Sequence, residues 1–128
     1  MSLIGGAYMT NKKARIQLIN IYGHQCFLGG VVLVKNPLTV HHIVPQRVRK
    51  DNRLDNLALL CHLEHQVFNT IEMYNKYHAQ ELNYGFREYK HTFNSLLITQ
   101  MRTFAYEHIN ALGYTIDYGG KMLKLKRG

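Results

Sequence analysis

The stretch LTVHHIVPQRVRKDNRLDNLALLCHLEHQVFN, residues 38–69, contains four of the chain's eight histidines. His41 and His42 end an apolar run, and His65 follows a leucine-rich segment. Adjacent side chains on a strand point to opposite faces, so His41 and His42 suit different tasks. Strand and helix imidazoles can hold a divalent metal, while another imidazole removes a proton from water. The pattern therefore indicates metal-assisted hydrolysis, or else a core that contains hydrogen-bonded histidines.

The elements around these histidines are predicted from hydrophobic periodicity. Residues 31–35 and 38–44 are rich in β-branched side chains and predict two short strands joined by a turn. Pro45 prevents regular continuation of the second strand. Apolar spacing from Leu57 to Ile71 favours a helix whose first turn lies near His62 and which runs to about residue 79.

Further elements are predicted on both sides of this unit. Residues 14, 18 and 21 share a helical face before Gly23, and a second helix begins at Ser95, which can cap it, and ends before Gly113. On one face of this helix we predict Leu97, Met101, Phe104, Ala105 and Ile109. Gly119-Gly120 lies between two alternating segments and predicts a hairpin. We predict an α+β fold in one domain, 1–128, with a core at about 22–79 and a C-terminal helix and hairpin at about 92–127.

Composition restricts the function classes. The 128 residues carry a net charge of +8, with 16 Lys and Arg against 8 Asp and Glu, and such a surface attracts polyanions. No apolar run approaches the roughly 18 residues of a membrane span, so no membrane partner is expected. Two cysteines cannot form a secreted disulfide scaffold, and the first residues lack the pattern of a signal peptide. We expect a cytoplasmic location.

The order and spacing of these residues resemble the HNH motif. VHHIVP comes first, then Asn56 in LDNLALLC, then His65 nine residues later. The arrangement is similar to that of HNH endonucleases, which have a ββα-metal (His-Me finger) core, and it covers residues 22–69. The resemblance implies that His41 and His65 bind the metal, that His42 is the general base, and that Asn56 aligns the loop carrying this base. Asn69 is a further candidate ligand or phosphate contact.

The resemblance also implies a reaction and its partners. A divalent ion, Mg²⁺ or Mn²⁺, would assist hydrolysis of DNA, leaving 5′-phosphate and 3′-hydroxyl ends, as a nick or a double-strand cut. Members of this family occur widely in phages and mobile elements. Three alternatives stay open: an inactive HNH fold that binds DNA, a structure-specific or RNA-directed nuclease, and a metal-free interaction module.

The cysteines depart from the family pattern. Many HNH proteins hold a structural zinc with two Cys-x-x-Cys pairs. Here Cys26 is followed by Gly29, and Cys61 by Glu64, at the partner positions. Two thiolates do not make a closed zinc site, although two nearby histidines, His24 and His62, could complete one. We expect no structural zinc, with Cys26 and Cys61 lying together as buried thiols.

Several candidates keep two interpretations. His62 is an alternative to His65 as the helix ligand, and the alternative for Asn56 is a turn or cap residue. The basic loop is either a solvated surface or a nucleic-acid contact; its cations are Arg47, Arg49, Lys50 and Arg53. The tyrosine-rich segment 72–90 and the helix from Ser95 lie outside the resemblance, and they serve either target recognition or a homodimer interface.

Overall fold

The computed structural model describes residues 11–91 and 94–128. The elements are α1 (Asn11–Tyr22), β1 (Leu38–His42), β2 (Leu57–Cys61), α2 (His62–Tyr74), α3 (Lys76–His91), α4 (Ser95–Ala111), β3 (Tyr114–Asp117) and β4 (Lys124–Arg127). A 3-10 turn at Leu54–Asn56 precedes β2. Helices and two small antiparallel sheets confirm the α+β class.

The site-bearing unit is a two-stranded sheet followed directly by a helix. β1 and β2 are antiparallel, and His41 and His42 stand opposite Ala58 and Leu57. All five residues of β2 are buried, and α2 begins at the next residue, His62. The basic loop connects the two strands. The order ββα is as predicted, but the two strands are β1 and β2 and not the predicted segments 31–35 and 38–44.

The predicted strand at residues 31–35 is wrong. This segment contributes only an isolated bridge between Leu33 and Asn36, and the side chain of Val34 is 95% exposed. β1 pairs instead with residues 57–61, whose LALLC sequence is apolar throughout. A short, fully buried strand has no alternation, so its sequence cannot be distinguished from part of a helix. β1 also ends at His42, two residues before the predicted end.

The predicted helix from His62 to about residue 79 is two helices. The backbone of Asn75 is extended, which ends α2 at Tyr74. The side-chain oxygen of Asn75 then accepts hydrogen bonds from the backbone N–H groups of Tyr77 and His78, as a helix cap does. The tyrosine-rich segment is therefore largely the helix α3.

The C-terminal elements follow the prediction apart from the cap. Asn94, not Ser95, caps α4, because its side chain accepts from the N–H groups of Leu96 and Leu97. Gly113, with φ of +89°, ends the helix in a conformation that favours glycine. β3 and β4 form the predicted hairpin. The predicted start of this unit at residue 92 lies outside the described residues.

The core surrounds α2 and fixes the distance between the strands and the helices. α2 contacts both strands of the first sheet as well as α3, α4 and β4. Its buried side chains are Leu63, Glu64, Val67, Phe68 and Ile71. Burying one large apolar side chain contributes about 1.5–3 kcal/mol. In α1, Ala14 and Leu18 are buried as predicted, whereas residue 21 is 58% exposed.

Candidate active site

The predicted metal and base histidines meet at one cavity. This cavity has a volume of about 280 Å³, and its lining includes His41, His42, His65, Asn69 and Glu72. β1 supplies the first two, and α2 supplies the other three. The rings of His41 and His65 lie 5.3 Å apart between centroids and are perpendicular. The fold thus brings together residues separated by more than twenty positions in the chain.

The ring of His65 is held by a threonine on the facing strand. The hydroxyl of Thr39 donates to the carbonyl of Leu60 at 2.6 Å and lies 2.9 Å from Nδ1 of His65. A hydroxyl has a single proton, and the Leu60 carbonyl takes it, so Thr39 accepts the Nδ1–H of His65. The lone pair of the neutral His65 ring is then on Nε2.

The ring of His41 is held from α3. Its Nε2 lies 2.8 Å from Oδ1 of Asn83, whose Nδ2 donates to the carbonyl of Ile43 at 3.1 Å. The second bond fixes the amide, so Asn83 accepts the Nε2–H of His41 and leaves the lone pair on Nδ1. The ring also packs against Phe68, with centroids 4.3 Å apart.

The ring of His42 is held within the loop that follows β1. Its Nε2 lies 2.8 Å from Oδ1 of Asn52. An amide oxygen only accepts, so His42 donates from Nε2 and keeps its lone pair on Nδ1. All three predicted histidines therefore have the same hydrogen-bonding arrangement. An oxygen holds one ring nitrogen and leaves the other available as a ligand or a base.

Burial supports the neutral form of the two candidate ligands. His41 is 4% exposed, and burial lowers the pKa of its imidazole to about 3. Burial likewise lowers the pKa of His65 below its ordinary value. A metal ligand must be the neutral imidazole, so both rings are in the required form at neutral pH.

Asn56 holds the loop that follows His42 through hydrogen bonds. Its Oδ1 accepts from the N–H of Val44 at 2.8 Å, and its Nδ2 donates to the carbonyls of Asp51 at 2.9 Å and Val44 at 3.3 Å. Its own carbonyl accepts from the N–H of Ile43 at 2.8 Å. The side chain is 5% exposed, and its hydrogen-bond partners are backbone groups of the loop that follows His42.

The predicted basic loop is partly neutralised. Arg49 and Arg53 both contact the carboxylate of Asp51, at 3.3 and 3.0 Å. Hydrogen bonds from Arg53 hold the pKa of Asp51 well below its usual range. Arg47 pairs at 3.5 Å with Glu72, at the edge of the histidine cavity, and Lys50 is exposed. Of these four loop cations, Arg47 is the one that lines the histidine cavity.

Sequence reasoning missed the three residues that hold the imidazoles. Thr39, Asn52 and Asn83 lie 26, 10 and 42 positions from the histidines that they contact. Thr39 had a weak signal, since it precedes His41 by two positions on the same strand. Nothing in the sequence links Asn83 to the motif.

The cysteine region is a second polar cluster. Among the described residues, three or more metal-ligating atoms lie within 4.8 Å of one another only at Cys26, Cys61 and Glu64. Both thiols are buried, as predicted, and the N–H of Cys61 donates to Sγ of Cys26 at 3.2 Å. Hydrogen bonding to Cys26, together with burial, raises the pKa of the Cys61 thiol.

Protein hydrogen bonds occupy the carboxylate of this cluster. Oε2 of Glu64 accepts from Arg102 at 3.1 Å and from the hydroxyl of Tyr106 at 2.7 Å, while Oε1 accepts from Asn36 at 3.1 Å. A Cβ at Gly29, where the backbone φ is +74°, would contact Ile98 and Arg102. These residues do not fit a closed zinc site, since α4 occupies the side where further ligands would stand.

Comparison with known proteins agrees with the geometry. Residues 28–66 match the family model described as HNH endonuclease. This match supports the assignment of the segment to the HNH endonuclease family. The match spans β1, the basic loop, β2 and the start of α2, which together are the ββα-metal core. No curated protein and no solved structure matches the chain.

The HNH match suggests a nuclease or nucleic-acid-binding function, in agreement with the net charge of +8. HNH nucleases generally use a divalent metal. Among the described residues, no helix is long and apolar enough to cross a membrane.

Proposed function

We propose that this HNH protein is a metal-dependent endonuclease that hydrolyses DNA phosphodiester bonds. The supporting observation is the arrangement of three imidazoles around one cavity, each with one nitrogen held by a side-chain oxygen. Such preorganisation is typical of metal ligands and general bases, because the held nitrogen fixes both the tautomer and the ring orientation.

The metal would be held by Nδ1 of His41 and Nε2 of His65, with Mg²⁺ or Mn²⁺ the ions expected from the family. When bound, the ion would stabilise negative charge on the scissile phosphate and the leaving oxygen. Asn69 is exposed at the same cavity and is a candidate further ligand or phosphate contact.

His42 would supply the base. Its Nδ1 takes a proton from the attacking water, whose oxygen forms the new bond to phosphorus while the bond to the 3′-oxygen breaks. Asn52 accepts from the other nitrogen, so the imidazolium formed in this step remains hydrogen-bonded. Asn56 keeps the loop in place, and Arg47 and Lys50 are the loop cations best placed to contact phosphates.

The test is conversion of supercoiled plasmid by the full chain in Mg²⁺, Mn²⁺ or EDTA. We expect metal-dependent nicked or linear product that is lost in His42→Ala. The matched control is His24→Ala, which removes an exposed histidine that does not line the cavity. Persistence of cleavage in His42→Ala would refute its role as base.

Two results would replace this proposal. Plasmid that is retarded in a gel but never cut would support an HNH fold that only binds DNA. Cleavage restricted to RNA would support an RNA-directed nuclease, whereas cleavage restricted to branched or unpaired DNA would keep the proposal and make the enzyme structure-specific.

A further inference from the structure

A second cavity adjoins the histidine cavity. It has a volume of about 480 Å³ and lies between the loop after β1 and one face of α3. The two cavities share three lining residues, Pro45, Arg47 and Glu72. A DNA strand that is bound across the histidine cavity would therefore place its adjacent nucleotides at the second cavity.

The lining of this cavity combines an apolar floor with a cationic rim. Ile43 and Ala79 are buried beneath it, and Tyr84 forms part of the wall with 70% of its surface exposed. Lys76 and Arg87 line the same cavity from α3, eight residues before and three residues after Tyr84, and neither forms an ion pair within the described residues.

These features match one kind of ligand. A nucleobase is flat and apolar on its faces and can stack on an exposed aromatic ring, while its phosphates pair with nearby cations. The faces of a paired base are covered by its neighbours in the duplex, so only an unpaired base can enter a pocket. The cavity volume falls within the usual range of small-ligand pockets.

We propose that this cavity binds one unpaired nucleotide of the DNA strand, next to the bond that is cut. Tyr84 stacks on the base, and Lys76 and Arg87 contact the flanking phosphates. The inference rests on the proposed nuclease function and narrows its substrate to single-stranded or locally unpaired DNA.

The test measures binding in EDTA, so that no cleavage occurs. The probes are a fluorescent duplex and the same duplex with one unpaired thymine, followed by fluorescence anisotropy. We expect Tyr84→Ala to weaken binding of the bulged probe about tenfold and to leave binding of the plain duplex unchanged, whereas Tyr84→Phe binds like wild type.

The control is Tyr77→Ala. Tyr77 is on the same helix and is 78% exposed, but it does not line the cavity. A second measurement uses Lys76→Ala/Arg87→Ala, which should lower the slope of log affinity against log salt concentration by about 1.5 for the bulged probe.

Each outcome bears on one proposal. If Tyr84→Ala binds the bulged probe like wild type, or loses affinity for both probes equally, the nucleotide pocket is refuted whatever the plasmid assay gives. If the binding pattern holds while no plasmid or bulged DNA is cut in Mg²⁺ or Mn²⁺, the pocket stands and the nuclease function fails.

Discussion

Replacement of Arg102 by methionine should strongly destabilise the fold. The carboxylate of Glu64 is 1% exposed, and Arg102 is its one ion-pair partner among the described residues. Without the guanidinium, only the neutral donors Asn36 and Tyr106 remain. Removing one partner of a buried pair costs about 3–5 kcal/mol. The side chain of Arg102 is 36% exposed, so solvent screening reduces this free-energy cost. We therefore expect Arg102→Met to lower the free energy of unfolding by about 3 kcal/mol and the melting temperature by about 10 °C.

The assay is urea denaturation followed by circular dichroism, with Arg47→Met as the matched control. Arg47 and its partner Glu72 are 63% and 23% exposed, so breaking that surface pair should cost no more than about 1 kcal/mol. Arg102→Met/Glu64→Gln should recover part of the loss, since a neutral amide needs no counter-charge. If Arg102→Met were no more destabilising than Arg47→Met, the ion pair between Arg102 of α4 and Glu64 would not stabilise the fold.

Three further predictions concern metals and pH. Thr39→Val should weaken Mn²⁺ binding about tenfold in calorimetry, while Thr39→Ser keeps it; equal affinities would show that Thr39 does not orient His65. Purified protein dialysed against EDTA should retain no zinc and an unchanged melting temperature; one zinc per chain would contradict the structural role of Glu64. Burial lowers the pKa of Lys90 to about 8, below its unfolded value, so this residue adds stability as pH rises from about 8 to 10.5. Lys90→Met should remove that increment in urea denaturation, and an identical pH dependence would refute it.

Features that depend on local chemistry were predictable from the residues that form them. Gly113 ends α4 because its positive φ favours glycine, and the hairpin of β3 and β4 follows from the alternation on both sides of Gly119-Gly120. The spacing of His41, Asn56 and His65 likewise sufficed to indicate the HNH family, since a motif is read along the chain.

Strand pairing and the side chains that hold the histidines depend on contacts between distant segments, which the sequence does not reveal. Residues 57–61 form a strand whose apolar side chains are all buried, so the sequence lacks the alternation of apolar and polar residues that marks a half-exposed strand. Thr39 and Asn83 contact His65 and His41, and Arg102 reaches Glu64 across 38 positions. Such contacts depend on how helices and strands pack in three dimensions, and packing between distant segments leaves no periodic signal in the sequence of either one.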